Sequence, residues 1–195
     1  MADLITLEDY KEAEGISTPK DDLKLDAIIP SVSQLVKTYC NNSFVDYTST
    51  NKTEYFNNHY SVTSIQMSES PLLTVVSVKE RSGIASTYKT LVANVDYYVD
   101  LATDSVFRSN GSNGYTPYPR GPGAVEVIYT AGYTSCPADL QLAVIDLVTY
   151  YHKDEHKARQ TMQGASTANN STSSQNDNVG FPDHIKRVLD LYKNY

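Results

Sequence analysis

One group of side chains has the spacing of a metal site: His152, Glu155 and His156, near the end of a predicted helix. Two histidines four residues apart share a helix face and could hold zinc, with the glutamate as a general base. A catalytic zinc of this kind needs a third protein ligand from well downstream, where the chain is mostly a polar linker. Lys153 and Lys157 also place positive charge beside the pair. We therefore interpret the group as a solvated helix end and predict no metal site and no cofactor.

The other reactive side chains are isolated in the sequence. Cys40 and Cys136 lie far apart and neither belongs to a CxxC pair, which predicts two lone thiols in a reducing cytoplasm. His59 and His184 have no evident partners. The glycine pair at 121 and 123 cannot cradle a phosphate, because Pro122 between them lacks an N–H group. The sequence thus predicts that the protein is not an enzyme.

The composition excludes several other classes. The chain has 195 residues, which suits one domain with a tail or two very small domains. Its net charge of −7 argues against ordinary DNA binding, which depends on lysine and arginine contacts to phosphates. The first residues lack a secretory signal and no apolar run could cross a bilayer, so we predict a soluble protein without a membrane partner. The 16 tyrosines suit partly wet interfaces, although tyrosines that fill strands would give the same count.

Three helices are predicted in the body of the chain, at 7–14, from Pro19 to about Asn41, and from near Pro137. Thr6 followed by Asp9 has the form of a capping box, and Gly15 is a natural residue to end the first helix. Pro30 lies inside the second helix and should kink or split it. The third helix carries a broad apolar stripe, which is typical of a helix packed on a core.

The region from about 44 to 131 is rich in β-branched and aromatic residues and predicts strands. The candidate strands are 54–60, 72–80, 88–91, 97–101 and 124–130. The last strand alternates, so Val125, Val127 and Tyr129 should face one way. Before it, residues 108–123 are dense in glycine, asparagine, serine and proline, which predicts an exposed loop long enough for a functional contact.

The end of the chain combines a polar linker with a short amphipathic helix. Residues 160–180 are nearly all polar and cannot bury enough apolar area to fold, which predicts a flexible linker. In the segment 181–195, apolar side chains recur at the helical spacing: Ile185, Val188, Leu189 and Tyr192. A helix this short is marginal alone, so it must dock on its own domain or on another chain.

The predicted fold class is α+β. We expect a helical bundle of a short N-terminal helix, a long helix and a helix after the sheet, with a small antiparallel β-sheet inserted. Residues 1–159 would form this body, with the β-rich insertion at about 44–131. Residues 160–180 would be the linker, and 181–195 a C-terminal docking helix at the end of an extended tail.

The ordered set of local motifs resembles the head–tail connector (adaptor or head-completion) proteins of tailed bacteriophages. The resemblance spans roughly residues 4–155. Its motifs are Ile5-Thr6-Leu7-Glu8-Asp9-Tyr10, Gly15-Ile16, Asp21-Asp22-x-x-Leu25, Tyr39-Cys40-x-x-x-Phe44, Tyr118-Pro119-Arg120-Gly121, Tyr129-Thr130-Ala131-Gly132-Tyr133 and Pro137-Ala138-Asp139-Leu140. Many members carry an arginine shortly before the phenylalanine, where this chain has Asn42-Ser43.

This resemblance implies a structural protein of the virion neck, assembled in the bacterial host cytoplasm. It would form a ring of about twelve copies beneath the capsid portal, extend the DNA channel, and receive the next neck or tail protein. Double-stranded DNA would pass through without specific binding, and lumen-facing carboxylates would repel its phosphates. A generic acidic surface explains the charge equally well. The alternatives are another neck or tail-completion protein, or an interaction module outside any virion.

The resemblance also implies contact residues. In the family the C-terminal tail inserts into the portal, a role that would fall here to five side chains: Phe181, Ile185, Val188, Leu189 and Tyr192. In the loop before the last strand, Tyr115, Tyr118 and Arg120 are the candidate contacts with a neighbouring copy or with the tail.

Overall fold

The structure, a computed structural model, describes residues 2–112, 114–154 and 181–194. The described residues of Met1–Asn41 and Ser135–Lys193 form a helical unit, and those of Asn42–Thr134 form, with Asn194, a β unit. The helices are α1 (Leu7–Glu14), α2 (Asp22–Cys40), α3 (Ala138–His152) and α4 (Asp183–Leu191). The strands are β1 (Lys52–Asn58), β2 (Ser64–Gln66), β3 (Leu72–Glu80), β4 (Lys89–Thr90), β5 (Tyr97–Asp100), β6 (Ser105–Arg108) and β7 (Gly121–Ala131). The predicted linker at 160–180 lies outside the described residues, within which no helix is long and apolar enough to cross a bilayer.

Helix α1 confirms the predicted capping box. The Thr6 N–H donates to Asp9 Oδ2 at 2.8 Å, and the Asp9 N–H donates to Thr6 Oγ1 at 3.1 Å. Gly15 ends the helix with a φ of +67°, in the left-handed region that glycine adopts without strain. These contacts join residues at most a few positions apart, so the local sequence suffices to predict the helix.

Helix α2 begins three residues later than predicted. The Pro19 carbonyl accepts a hydrogen bond from the Asp22 N–H at 3.3 Å in a turn, and the helix starts at Asp22. The helix also stays in one piece through Pro30, whose side chain is exposed. Proline has no N–H to bond the carbonyl one turn earlier. Because this side of the helix faces solvent, water can bond that carbonyl instead.

The core of the helical unit is mainly apolar and centres on α3. Leu140, Val144 and Leu147 have no exposed area. Both α2 and α4 pack against α3. Tyr10 of α1 is buried as well, with its hydroxyl 3.0 Å from Thr149 Oγ1 of α3. The unit thus draws its core from three separate stretches of the chain.

The β unit corrects the predicted fold class. We expected a helical bundle with one small inserted sheet, and this is wrong, because the described residues form seven strands in two antiparallel sheets. The strand orders are β1-β7-β3-β4 and β2-β6-β5. Strands β2 and β6, which complete the second sheet, were not predicted. Each is three or four residues long and mixes polar with apolar side chains, so no sequence pattern marks it without its partner strands.

The central strand β7 confirms the predicted alternation. Val125, Val127 and Tyr129 have no exposed area and lie in the core of the β unit. On β1 they stand opposite Phe56, Glu54 and Lys52, while Glu126 stands opposite Tyr55 on the other face. The strand is longer than predicted, because β1 also pairs with Gly121, in the stretch that we expected to be a loop.

Gly132, just after β7, occupies a position that only glycine fits. Its φ is +103°, and a Cβ atom there would overlap the Phe44 carbonyl oxygen. The same carbonyl accepts a hydrogen bond from the Tyr133 N–H at 2.7 Å, and the Ala131 N–H donates to the Tyr47 carbonyl at 3.0 Å. The chain leaving β7 is therefore bound backbone to backbone to the segment before β1, which accounts for glycine in this motif.

Candidate assembly surfaces

The C-terminal helix lies in the core of the helical unit. Ile185 and Leu189 are 1% and 0% exposed, and Phe181, just before the helix, is also buried. The Phe181 ring meets the Tyr39 ring edge to face, with centroids 5.0 Å apart. The Tyr39 hydroxyl in turn donates to Asp190 Oδ1 at 2.6 Å. The structure thus places three of the five predicted portal-docking residues on their own subunit.

The remaining two predicted docking residues, Val188 and Tyr192, are half-buried. The Tyr192 hydroxyl donates to Asp139 Oδ1 at 2.6 Å, and this hydrogen bond lowers the pKa of Asp139. The opposite side of α4 is exposed and carries Arg187 and Leu191. In this arrangement the surface that α4 offers to another protein is this mixed charged and apolar side, not its buried apolar stripe.

The three predicted contact residues in the loop before β7 lie in different environments. Tyr118 is 2% exposed; its N–H donates to the Val62 carbonyl at 2.8 Å, and burial raises the pKa of its hydroxyl. Tyr118 is therefore a core residue. Tyr115 is 71% exposed, with its ring 5.8 Å from that of Phe107. Arg120 is exposed and donates to Ser61 Oγ at 2.9 and 3.2 Å.

An exposed aromatic group that the sequence did not reveal surrounds Tyr115. Tyr98 of β5 stands opposite Phe107 of β6 in the register of the second sheet, and 57% of Tyr98 is exposed. Phe107 in turn contacts Tyr115. Tyrosine and phenylalanine are enriched in protein interfaces. The signal was missed because these residues are adjacent only through strand pairing.

The β unit holds a buried arginine that ties its two sheets together. Arg108 of β6 is 8% exposed, and its Nε and Nη2 each lie 3.0 Å from a carboxylate oxygen of Glu80 on β3. Its Nη1 donates to the carbonyls of Asp96 and Ser109, each at 2.6 Å. A two-pronged contact of this kind fixes both groups in direction as well as distance. Arg108 thus supports the sheet that carries the aromatic group.

A second polar cluster holds the segment before β1. Glu69 is 7% exposed and accepts hydrogen bonds from the N–H and the hydroxyl of Ser43, at 2.7 and 2.9 Å. Lys52 Nζ of β1 lies 2.7 Å from Glu69 Oε1 and donates to Ser68 Oγ at 2.7 Å. Each hydrogen bond of this cluster fixes a loop or strand end, which indicates a structural role.

The outer face of the four-stranded sheet carries a line of polar contacts across three strands. Lys79 of β3 donates to Glu126 of β7 at 2.6 Å. The same carboxylate, which stands opposite Tyr55 of β1 in the register, raises the pKa of the Tyr55 hydroxyl. Tyr55 is 56% exposed. The β1 part of this face thus exposes an aromatic ring to solvent.

The structure describes one residue of the histidine–glutamate group and both cysteines. His152 ends α3 with its Nε2 4.0 Å from Asp21 Oδ2, while Glu155 and His156 lie outside the described residues. Both cysteines are free thiols, and burial raises the pKa of Cys40 and of Cys136 to about 12. Thiols with such pKa values remain protonated and poorly reactive at neutral pH.

Comparisons with known proteins give a consistent result. A model of a family described as head completion protein matches residues 3–195. The head completion protein of Escherichia phage T5 is 24% identical over 199 residues, which cover 97% of this chain and 98% of that protein.

Two solved particle structures contain chains of similar fold. One is the neck of an empty GTA particle computed with C6 symmetry, with a TM-score of 0.61, 15% identity, and coverage of 98% of this chain and 90% of that chain. The other is the neck of a native GTA particle computed with C12 symmetry, with a TM-score of 0.56, 14% identity, and coverage of 100% and 94%. GTA denotes a gene transfer agent. At these identities the likeness establishes a shared fold.

Proposed function

Because the chain belongs to the head completion protein family, we propose that it forms a ring beneath the capsid portal and extends the DNA channel toward the tail. It is a structural adaptor of the virion neck that joins head and tail. The family match over nearly the whole chain carries the proposal. The neck particles with chains of the same fold, computed with C6 and C12 symmetry, support the ring.

The charge of the chain suits a channel wall. Its net charge is −7, so an inner surface with carboxylates would repel the phosphates of a passing duplex. Lysine and arginine there would instead add an attraction that depends on salt concentration and slows transit. The proposed role therefore needs no specific DNA contact.

Docking of the C-terminal helix on the portal remains a prediction. The packing of α4 within its own unit determines what such docking would require. Ile185 and Leu189 already contribute to the core of their own unit. A portal that bound these side chains would have to replace the contacts that α4 makes with α2 and α3. Hydrogen exchange can test this release. Backbone amides of α4 should be protected in the free protein and change their exchange when the protein binds heads; unchanged exchange would overturn docking through the apolar stripe.

The proposed ring is tested on heads from a phage that lacks the gene for this chain. Purified protein is added, and the portal vertex is imaged by cryo-electron microscopy. We expect a closed ring of density at that one vertex, directly beneath the portal. Density in a layer farther from the portal would assign the chain to a later neck protein. The absence of any added density at the vertex would overturn the proposal.

A further inference from the structure

The four-stranded sheet has one long open edge, at β1. Strand β1 runs for seven residues and pairs on one side only, with β7. Proteins commonly guard such an edge with proline or with an outward-pointing lysine. Residues 52–58 contain no proline, and the ammonium group of Lys52 is directed to Glu69 inside the unit. The core face of β1 also carries Glu54, and the pairing with β7 shifts register between Phe56 and Asn58. Among the described residues, the first half of β1 therefore has an unpaired edge without proline or an outward-pointing lysine.

The direction of the free backbone groups on β1 follows from its neighbours. The Ala131 N–H donates to the Tyr47 carbonyl, which shows that odd-numbered residues of β7 direct their backbone groups toward the β1 side. Tyr129 and Val127 then bond Lys52 and Glu54 in the observed register. Consequently Thr53 and Tyr55 direct their N–H and C=O groups away from the sheet. The Thr53 side chain is exposed, and Tyr55 is 56% exposed.

The opposite edge of the same sheet, at β4, is also open. The Leu91 N–H donates to the Val78 carbonyl at 2.9 Å, so residues 89 and 91 direct their backbone groups toward β3. Thr90 between them directs its own groups outward, and its side chain is exposed. Next to this edge, Ile84 in the connection from β3 to β4 is 74% exposed. The second edge is short but has an apolar side chain beside it.

The strand directions make these two edges complementary. Each neighbouring pair in the order β1-β7-β3-β4 is antiparallel, so β1 and β4 run in opposite directions. When two copies stand side by side in the same orientation, β4 of one meets β1 of the next in antiparallel fashion. Contacts around a cyclic ring are of this head-to-tail kind, since each copy uses two different surfaces.

From this match we infer that the open edge of β1 binds the β4 edge of a second copy of this chain, so that the sheet continues from subunit to subunit. The inference rests on the proposed ring and names the surface that closes it. Pairing of β1 with β1 of another copy would instead produce a two-fold dimer that cannot extend around a ring.

The first test blocks the edge without breaking the sheet. In the variant Thr53→Pro, the lost N–H points away from β7, and edge positions of this kind tolerate proline. We expect a folded protein by circular dichroism whose incorporation into heads falls at least tenfold. Ser64→Pro is the matched control: it replaces an exposed residue of β2, an edge strand of the other sheet, and should assemble like wild type. Normal incorporation of Thr53→Pro, or equal loss in both variants, would overturn the inference.

The second test does not depend on how the proline variants fold. Two variants carry a pair of cysteines, Thr53→Cys with Thr90→Cys and Tyr55→Cys with Thr90→Cys, and necks assembled from them are oxidised. Within one subunit β1 and β4 lie three strand spacings apart, about 14 Å, which is too far for a disulfide. Disulfide-linked ladders in a non-reducing gel would therefore join different copies, and we expect them from at least one pair.

The controls separate this inference from the proposed function. Each single-cysteine variant should give no ladder, and a dimer from Thr53→Cys alone would overturn the inference by revealing pairing of β1 with β1. Wild-type protein that joins heads while both cysteine pairs stay unlinked would overturn the edge contact and leave the proposed function standing. Failure of wild-type protein to join heads would overturn the ring, and the edge contact with it.

Discussion

Different interactions stabilise the interior of the helical unit and that of the β unit. Both units have a mainly apolar core, and in the helical unit the Lys11–Asp22 ion pair lies nearer the surface, with side-chain exposures of 20% and 29%. In the β unit the Arg108–Glu80 pair is 10% and 14% exposed and sits between the two sheets. Apolar burial is non-directional, whereas a two-pronged charge pair fixes distance and angle. We therefore expect α4 to be the separable element and the β unit to be the rigid one.

The two units also differ in how many separate stretches of the chain build them. Apart from Asn194, the β unit is a single stretch, Asn42–Thr134, while the helical unit is completed by α4 from near the end of the chain. An element that returns from a distant part of the sequence can leave without carrying its neighbours along. This is the arrangement that an adaptor needs if one part of it binds a partner while another part keeps a ring closed.

The largest expected effect is in the apolar core of the helical unit. Leu189→Ala removes a side chain with no exposed area and should lower the free energy of unfolding by about 2–5 kcal/mol. The control, Leu191→Ala, changes the same residue type two positions away, where 78% of the side chain is exposed, and should change stability by less than about 0.5 kcal/mol. Urea denaturation measures both. Equal effects would show that α4 is not part of the core in solution.

The next effect concerns the charge pair of the β unit. Arg108→Ala leaves Glu80 poorly exposed and without its cation, which should cost about 3 kcal/mol. Arg120→Ala removes an exposed guanidinium and should cost less than about 0.5 kcal/mol. Adding Glu80→Gln to Arg108→Ala should recover part of the loss, since the buried charge is then removed. Thermal unfolding of the three variants checks this, and no recovery in the double variant would argue against a charge effect.

The smallest effect is a pH dependence at the edge of the helical unit. The Tyr192 hydrogen bond lowers the pKa of Asp139 below its ordinary value of 3.8. A carboxylate with a lowered pKa in the folded state adds stability above its unfolded pKa and loses it as the pH falls through the folded pKa. Because Asp139 lies at the surface, we expect Tyr192→Phe to cost less than about 1 kcal/mol at pH 7, and the cost to shrink as the pH falls to 2. Urea denaturation at the two pH values measures this, and an equal cost at both would exclude the hydrogen bond as its cause.

Features set by neighbouring residues could be predicted from the sequence. The capping box at Thr6 and the glycine at Gly15 determine α1 through contacts at most a few residues apart. Strand β3 has the predicted bounds because its β-branched run is long enough to be recognised alone. The spacing of Ile185, Val188 and Leu189 likewise indicated a helix with one apolar face. In each case the determining interaction lies within the element itself.

Only the tertiary structure decided which surfaces meet. The short strands β2 and β6 exist through pairing, so their own sequences carried little signal. Tyr118 is in the core because the chain before it returns to Val62, and α4 covers α2 and α3 because those helices complete its apolar face. An amphipathic pattern indicates that the apolar face of a helix must be covered. It does not indicate which element covers that face, since hydrophobic attraction has no direction. For the same reason the aromatic group around Tyr115 and the open edge of β1 became visible only in three dimensions.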